Sequence, residues 1–383
     1  MVRTHARQYD WPQRGRPARY ARYVTDLEQR LAMRTLELVD IPSVSRDEAA
    51  LHTHVLKLIP RPPFEVAYLT EDAMLFVTRR REGRPFVILA GHLDTIPPQG
   101  NFPGRREGGT VHGLGASDMK SGLAVMIEIA RWLAAEDVEP EVDLGLLFFA
   151  REELAQSESP LPVFFGSCER AREADLAIVM EPTDNTVQAG CLGNINADLV
   201  FHGEAAHSAR PWTGVNAIAR AVEGLAQLTS LPRHEVSVAG LPFYEVLSVT
   251  RFAGGVADNV IPELASARLN YRYAPDRTRE QAEARLRELV APAGGELAVL
   301  SNSSPARVAA GTPLVRRLCA AGGYEVLPKQ AWTPVAEFSD AGLDAVNLGP
   351  GATRYAHRRD EQVDTSELVR TFEAVARFLT EPA

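Results

Sequence analysis

Three short apolar runs, residues 86–90, 144–149 and 174–180, each break off at polar residues suited to chemistry: Gly91-His-Leu-Asp-Thr95, Ala150-Arg-Glu-Glu153 and Glu181-Pro182. A run of that length without alternation is a strand apolar on both faces, so helices must cover its sheet on either side. The intervening segments supply them. Residues 24–39 and 119–135 carry helical apolar spacing, and Ser45-Arg-Asp-Glu48 reads as a capping box opening a further helix. Strands alternating with helices define an α/β domain with a largely parallel sheet.

The middle of the chain has another rhythm. Residues 196–201 read as a strand, 216–228 as a helix, 244–252 and 265–273 as strands, 278–290 as a helix and 296–300 as a strand. That β-α-β-β-α-β order is the ferredoxin-like unit. After Pro305 the first pattern resumes and ends in a helix over 366–379. With 383 residues the chain exceeds what one core usually serves. The expected organisation is a tail at 1–24, a larger domain made of 25–193 and 307–383, and an inserted domain at 194–306.

A net charge of -9 argues against nucleic acid or an anionic membrane as partner. Cys168, Cys191 and Cys319 are far apart with no C-x-x-C pair, which excludes a disulfide scaffold and a zinc knuckle. The apolar runs are too short to span a bilayer. The Arg-rich start has no apolar core or small-residue cleavage site, so it is not a secretory signal. The expected location is the cytoplasm.

In open α/β sheets, ligands bind at the carboxyl ends of the strands. His92 and Asp94, two apart, share a face if extended, and Asp94 is placed to accept the second ring N–H of a metal-bound His92. Alone, H-x-D is a weak signal. Gly113-Leu-Gly-Ala-Ser-Asp118 begins like a dinucleotide fingerprint, but Ser117-Asp118 stands where the third glycine is needed. Asp118 has a plain explanation as an acid at a helix start, and a sharper one as a carboxylate bridging two metals.

Glu152 and Glu153 directly follow an apolar run, where each must be paired or desolvated. A solvated loop explains them equally well in isolation. A metallohydrolase, by contrast, needs one carboxylate as ligand and one free as base. Pro182 stops its strand and presents Glu181 at the edge. His357, in the glycine-rich loop after residues 345–348, taken alone is a surface histidine. As a set, His92, Asp118, Glu153, Glu181 and His357 form an open mixed N/O ligand group without thiolate, suited to zinc, cobalt or manganese. No G-x-S-x-G elbow for a serine nucleophile occurs.

Taken in order, GHLDTIP, GASDMKSG, AREE, MEP and the late GPG…AH resemble the M20 family of metallopeptidases and amidohydrolases, over roughly residues 25–380. The resemblance implies an aminopeptidase-like αβα catalytic domain with an inserted ferredoxin-like lid that forms a homodimer. It implies two divalent ions, zinc or alternatively cobalt or manganese, with His92 and Glu181 on one, Glu153 and His357 on the other, and Asp118 between. Glu152 is then the general base and Asp94 the partner of His92.

Within the family, GNFPGRREGGTVHGLGASDMKSGLAVM, AHSARPWTGVNAI and AEFSDAGLDAVNLGPG are similar to segments of actinobacterial-type succinyl-diaminopimelate desuccinylases. By that likeness His207 assists at the carbonyl oxygen, and Asn259, Arg272 and Thr333 contact substrate. Two places depart from the pattern: Gly190-Cys-Leu-Gly-Asn-Ile195, and Glu337, which stands where arginine is common. Both reduce positive charge. Deacylation of another N-acyl amino acid, such as acetylornithine, and cleavage of a dipeptide are the alternatives, with a non-catalytic binding protein as the reading from another class.

Overall fold

The structure, a computed structural model, describes residues 26–135 and 138–381, so the tail expected at 1–24 lies outside it. An eight-stranded sheet runs in the spatial order Glu65–Leu69, Ala73–Val77, Asp143–Phe149, Phe86–His92, Leu176–Val179, Ala345–Asn347, Val187–Cys191 and Val326–Lys329. Its four central strands, Asp143–Phe149 through Ala345–Asn347, are mutually parallel. Phe86–His92 and Asp143–Phe149 are buried along their whole length, as the absence of alternation requires. Leu27–Val39, Lys120–Ala135 and Thr365–Thr380 cover one face through Leu31, Leu123, Ile127 and Phe372. Phe164, Phe165 and Phe338 pack against the other.

A second sheet, entirely antiparallel, has the order His234–Val238, Leu241–Gly254, Leu264–Tyr273, Gly193–His202, Glu296–Ser303. Its last four strands, with helices Ala217–Thr229 and Arg279–Val290, reproduce the ferredoxin-like order read from the sequence. Burial alternates along Gly193–His202 and Leu264–Tyr273. Ile195, Ala197, Leu199, Leu269 and Tyr271 pack with Ala221 and Leu286 of the two helices. The opposite face is left to Asn194, Asn196, Asn270 and Arg272.

The structure adds one strand and corrects one local expectation. His234–Val238 is a strand that the sequence reading missed, joined to the next through Ala239 and Gly240, both at positive φ (50° and 82°). An alanine there gives none of the usual hairpin signal. The capping box at Ser45 does not form: the helix is Ala49–Leu58, with Glu48 at its cap and no side-chain cap bond. The Ser45 hydroxyl donates instead to Asp94 Oδ2 at 2.7 Å. The Glu48 carboxylate accepts the backbone N–H groups of Arg46 and Arg151.

Candidate metal centre and substrate cleft

The four central parallel strands deliver the site. His92 ends one, Glu152 and Glu153 follow the second, Glu181 follows the third, and the loop after the fourth carries His357. Asp118 sits just before the helix Lys120–Ala135. Two glycines fix the backbone at Glu181: a Cβ at Gly122 would lie 2.3 Å from the Met180 carbonyl oxygen, and one at Gly349 2.4 Å from the same atom. Any side chain at either position would push Glu181 away.

Asp118 lies between two histidine–glutamate pairs. His92 Nε2 is 3.1 Å from Asp118 Oδ1 and 3.8 Å from Glu181 Oε1. His357 Nε2 is 3.6 Å from Asp118 Oδ2 and 2.8 Å from Glu153 Oε2. On its other side the His92 ring meets Asp94, with Nδ1 3.0 Å from the backbone carbonyl and 3.5 Å from carboxylate Oδ1. The nearest acceptor is thus the carbonyl, because the Asp94 carboxylate is engaged elsewhere. It accepts the N–H of Glu152 at 2.9 Å, the N–H of Glu153 at 3.0 Å and the Ser45 hydroxyl. Asp94 therefore orients His92 and the Glu152–Glu153 loop together. His357 takes φ 61°, an unusual conformation of the kind that collects at functional sites.

Electrostatics tests whether these residues suit cations. Burial, and then the neighbouring Glu181, push Glu152 well above the carboxylate range. Burial and then Asp118 push Glu181 up to about 7. Glu153 is also raised by burial, against the pull of His357. Burial alone would lower His92, but Asp118 and Asp94 outweigh it and hold it well above its ordinary value. Glu153 raises His357 to about 9. Donor atoms of His92, Asp118 and Glu153 all lie within 4.8 Å of one another. At that spacing two like charges repel by on the order of 3 kcal/mol at an effective dielectric near 20. Glu181 Oε1 is buried with no hydrogen-bond partner among the described residues. Crowded acids and an orphaned oxygen are what a positive ion relieves, and the donor set fits divalent metal.

Beside the cluster opens a cleft of about 1150 Å³, lined by Glu152, Glu153 and His357 on one side and by Asn194, Asn196 and Arg272 on the other. The second sheet's register places Arg272 opposite Asn194 and Asn270 opposite Asn196. Asn270 donates to both asparagines and accepts from Arg272 Nε at 2.9 Å, which steadies the guanidinium. Thr333 is buried beside the cleft-lining Trp332, its hydroxyl unpartnered among the described residues.

His207 and Asn259 are not brought to this cluster. They are exposed near a two-stranded ribbon where His207 faces Val260, and neither lines the cleft. The sequence reading missed Ser45 and Glu361, whose carboxylate holds the Asp118 loop. Ser45 is legible only as a cap, and Glu361 only as one more charge in Arg358-Arg-Asp-Glu361.

An αβα sheet with a carboxylate–histidine centre at its strand ends defines a metallohydrolase architecture. The model of peptidase family M20/M25/M40 matches residues 88–381, and the chain belongs to that family of hydrolases acting on amide bonds. It is 37% identical over 347 residues to a candidate succinyl-diaminopimelate desuccinylase of Mycobacterium tuberculosis, covering 90% of this chain and 96% of that one. It is 35% identical over 354 residues to the succinyl-diaminopimelate desuccinylase of Corynebacterium glutamicum, covering 91% and 95%. Among solved structures it is similar to a dinuclear metal-binding M20 peptidase of Bacillus subtilis, with a TM-score of 0.66, 16% identity, and 92% and 98% of the two chains covered. Among the described residues no helix is long and apolar enough to cross a membrane, and Cys168, Cys191 and Cys319 are all free.

Proposed function

We propose that the chain is a two-zinc amidohydrolase that removes the acyl group from an N-acyl amino acid, with N-succinyl-LL-2,6-diaminopimelate as its substrate. The observation that carries this reading is Asp118 placed between the His92–Glu181 and His357–Glu153 pairs, with Glu152 beside them. Identity to the two desuccinylase relatives over nine-tenths of the chain supports the substrate. His92 and Glu181 would hold one ion, Glu153 and His357 the other, and Asp118 both. When bound, the ions supply Lewis acidity that polarises the scissile carbonyl and acidifies water.

The remaining chemistry belongs to the chain. Glu152 is the one acid of the cluster whose carboxylate enters no hydrogen bond or ion pair among the described residues, so it is free to act as base. Its raised pKa suits a group that takes the proton of the attacking water and returns it to the departing amine nitrogen. Asp94 orients His92 and positions Glu152 through its backbone N–H. Arg272, which lacks a carboxylate partner among the described residues, anchors a substrate carboxylate, and Thr333, next to the cleft-lining Trp332, is the further substrate contact. The inserted domain, 194–306, forms a homodimer that brings His207 and Asn259 to the partner's site. Metal-loaded protein assayed against succinyl-diaminopimelate, acetylornithine and a small dipeptide panel tests the reading. Turnover confined to dipeptides would overturn it.

A further inference from the structure

We infer that Glu337 is a specificity-determining residue, whose buried carboxylate receives an ammonium group that the substrate carries away from its scissile amide. The inference rests on the reading of this cleft as the substrate site. Glu337 lies on the short helix Val335–Asp340, is only 5% exposed, and lines the same cleft as Glu152, His357 and Arg272. One oxygen, Oε2, accepts the Ser159 hydroxyl at 3.0 Å. The other, Oε1, is buried with no hydrogen-bond partner, and no Lys, Arg or His forms an ion pair with this carboxylate among the described residues.

The charges around it are acidic or already paired. Besides burial, the charge that acts on Glu337 is that of Asp340, itself an acid, and together they push the carboxyl up to about 7. The nearby cation Arg279 is spent on Asp340 at 3.2 Å and on Ser304. A buried acid retained only to brace Ser159 would need one oxygen; an amide or hydroxyl would do that without the desolvation cost. An acid that lines a ligand cleft with one oxygen satisfied and the other unpaired is instead built to be completed by a charged N–H donor. Arg272 reaches the cleft from the second sheet with no carboxylate of its own. Lining one cleft, the two offer opposite charges, an acid for an ammonium and a cation for a carboxylate, as a substrate with a zwitterionic amino-acid terminus would use. N-succinyl-LL-2,6-diaminopimelate has such a terminus at its far end, with a free ammonium beside a carboxylate.

The test compares N-succinyl-LL-2,6-diaminopimelate with N-succinyl-L-2-aminopimelate, which shares the scissile amide but lacks the distal ammonium. Wild type should favour the first by roughly 10- to 100-fold in kcat/KM, carried by KM, as a charge-assisted hydrogen bond predicts. In Glu337→Gln the KM ratio between the two should fall toward one. That ratio is taken within a single preparation, so partial misfolding of the variant does not disturb it. The substrate reading is separated by calorimetric binding of LL-2,6-diaminopimelate and L-2-aminopimelate, and of acetyl-lysine and acetyl-norleucine, which needs no turnover. If succinyl substrates are not cleaved, the proposed substrate fails. The Glu337 assignment still stands if either ammonium-bearing probe binds tighter than its counterpart and Glu337→Gln abolishes the difference. Absence of any ammonium-dependent binding, or a preference that survives in the variant, overturns it.

Discussion

Glu361 accepts the backbone N–H of Asp118 at 2.9 Å, and the same carboxylate takes the N–H groups of Ser117 and Gly115 at 3.0 Å each. Glu361 is 2% exposed, so these donors have no water to fall back on. The central carboxylate of the cluster is thereby held by an acid some 240 residues away in sequence. Glu361→Ala should cost roughly 3 kcal/mol or more, since it strands three buried donors. It should also weaken both metals by releasing the Asp118 loop. Urea unfolding and metal titration read the two effects, and a variant as stable as wild type would remove the role assigned to Glu361.

Glu152→Gln should lower turnover by ~10² to 10⁴-fold, the usual cost of losing a positioned acid–base group. Metal content should stay near that of wild type, because Glu152 is placed as base and not as ligand. Elemental analysis alongside single-turnover kinetics separates the two roles. Loss of one metal together with activity would reassign Glu152 as a ligand.

The two halves of the cluster predict a pattern across five variants. Glu153→Ala and His357→Ala should weaken one ion, His92→Ala and Glu181→Ala the other, and Asp118→Ala both. Competitive chelator titration resolves two affinities in wild type and shows which is lost in each variant. A single indistinguishable loss in all five contradicts the pairing.

The reach of the sequence differs between parts of the molecule for physical reasons. Residues 86–90 and 144–149 announce buried strands because a covered parallel sheet demands apolar side chains on both faces. Residues 196–201 and 265–273 betray their half-buried sheet by alternation. Four of the five candidate ligands are visible because each stands at the end of an apolar run or in the loop after it, and Asp118 because it opens a helix. Which histidine shares which oxygen of Asp118 is not, since His357 and Glu153 meet across 204 residues. Ser45 misled because a hydroxyl that begins a capping box in sequence is captured in space by Asp94. Glu337 was visible only as a substitution, and its burial and half-satisfied carboxylate emerge from packing.

The second sheet carries a pH-dependent lock at Glu245. Burial alone would raise its carboxyl, but Arg277, the Ala274 N–H and His234 together hold it below its ordinary value. A carboxylate whose folded pKa is depressed contributes stability above its unfolded pKa and loses it as pH falls through the folded value. Wild-type stability should therefore decline as pH drops below about 4.5, the unfolded value. Glu245→Gln should be less stable at neutral pH and show a shallower acid decline. Equilibrium unfolding across pH 2 to 7 measures both; an unchanged acid slope in the variant would falsify the assignment.

His207 raises the question of which subunit it serves. It is exposed, its Nδ1 accepts the Ala209 N–H at 3.1 Å, and it does not line the cleft of its own chain. Every proposed metal ligand lies outside residues 194–306, whereas His207 lies within them. The assistance at the carbonyl oxygen proposed for His207 thus requires closure of the second sheet over its own site or delivery across a dimer. Complementation distinguishes the two. Glu152→Gln and His207→Ala proteins should each be nearly inactive. After subunit exchange, a mixed dimer has one site that combines an intact Glu152 with the partner subunit's His207. Random twofold pairing makes half of all dimers mixed, so about a quarter of all sites become competent. Recovery near that level supports action in trans, and no recovery after confirmed exchange leaves His207 acting on its own subunit.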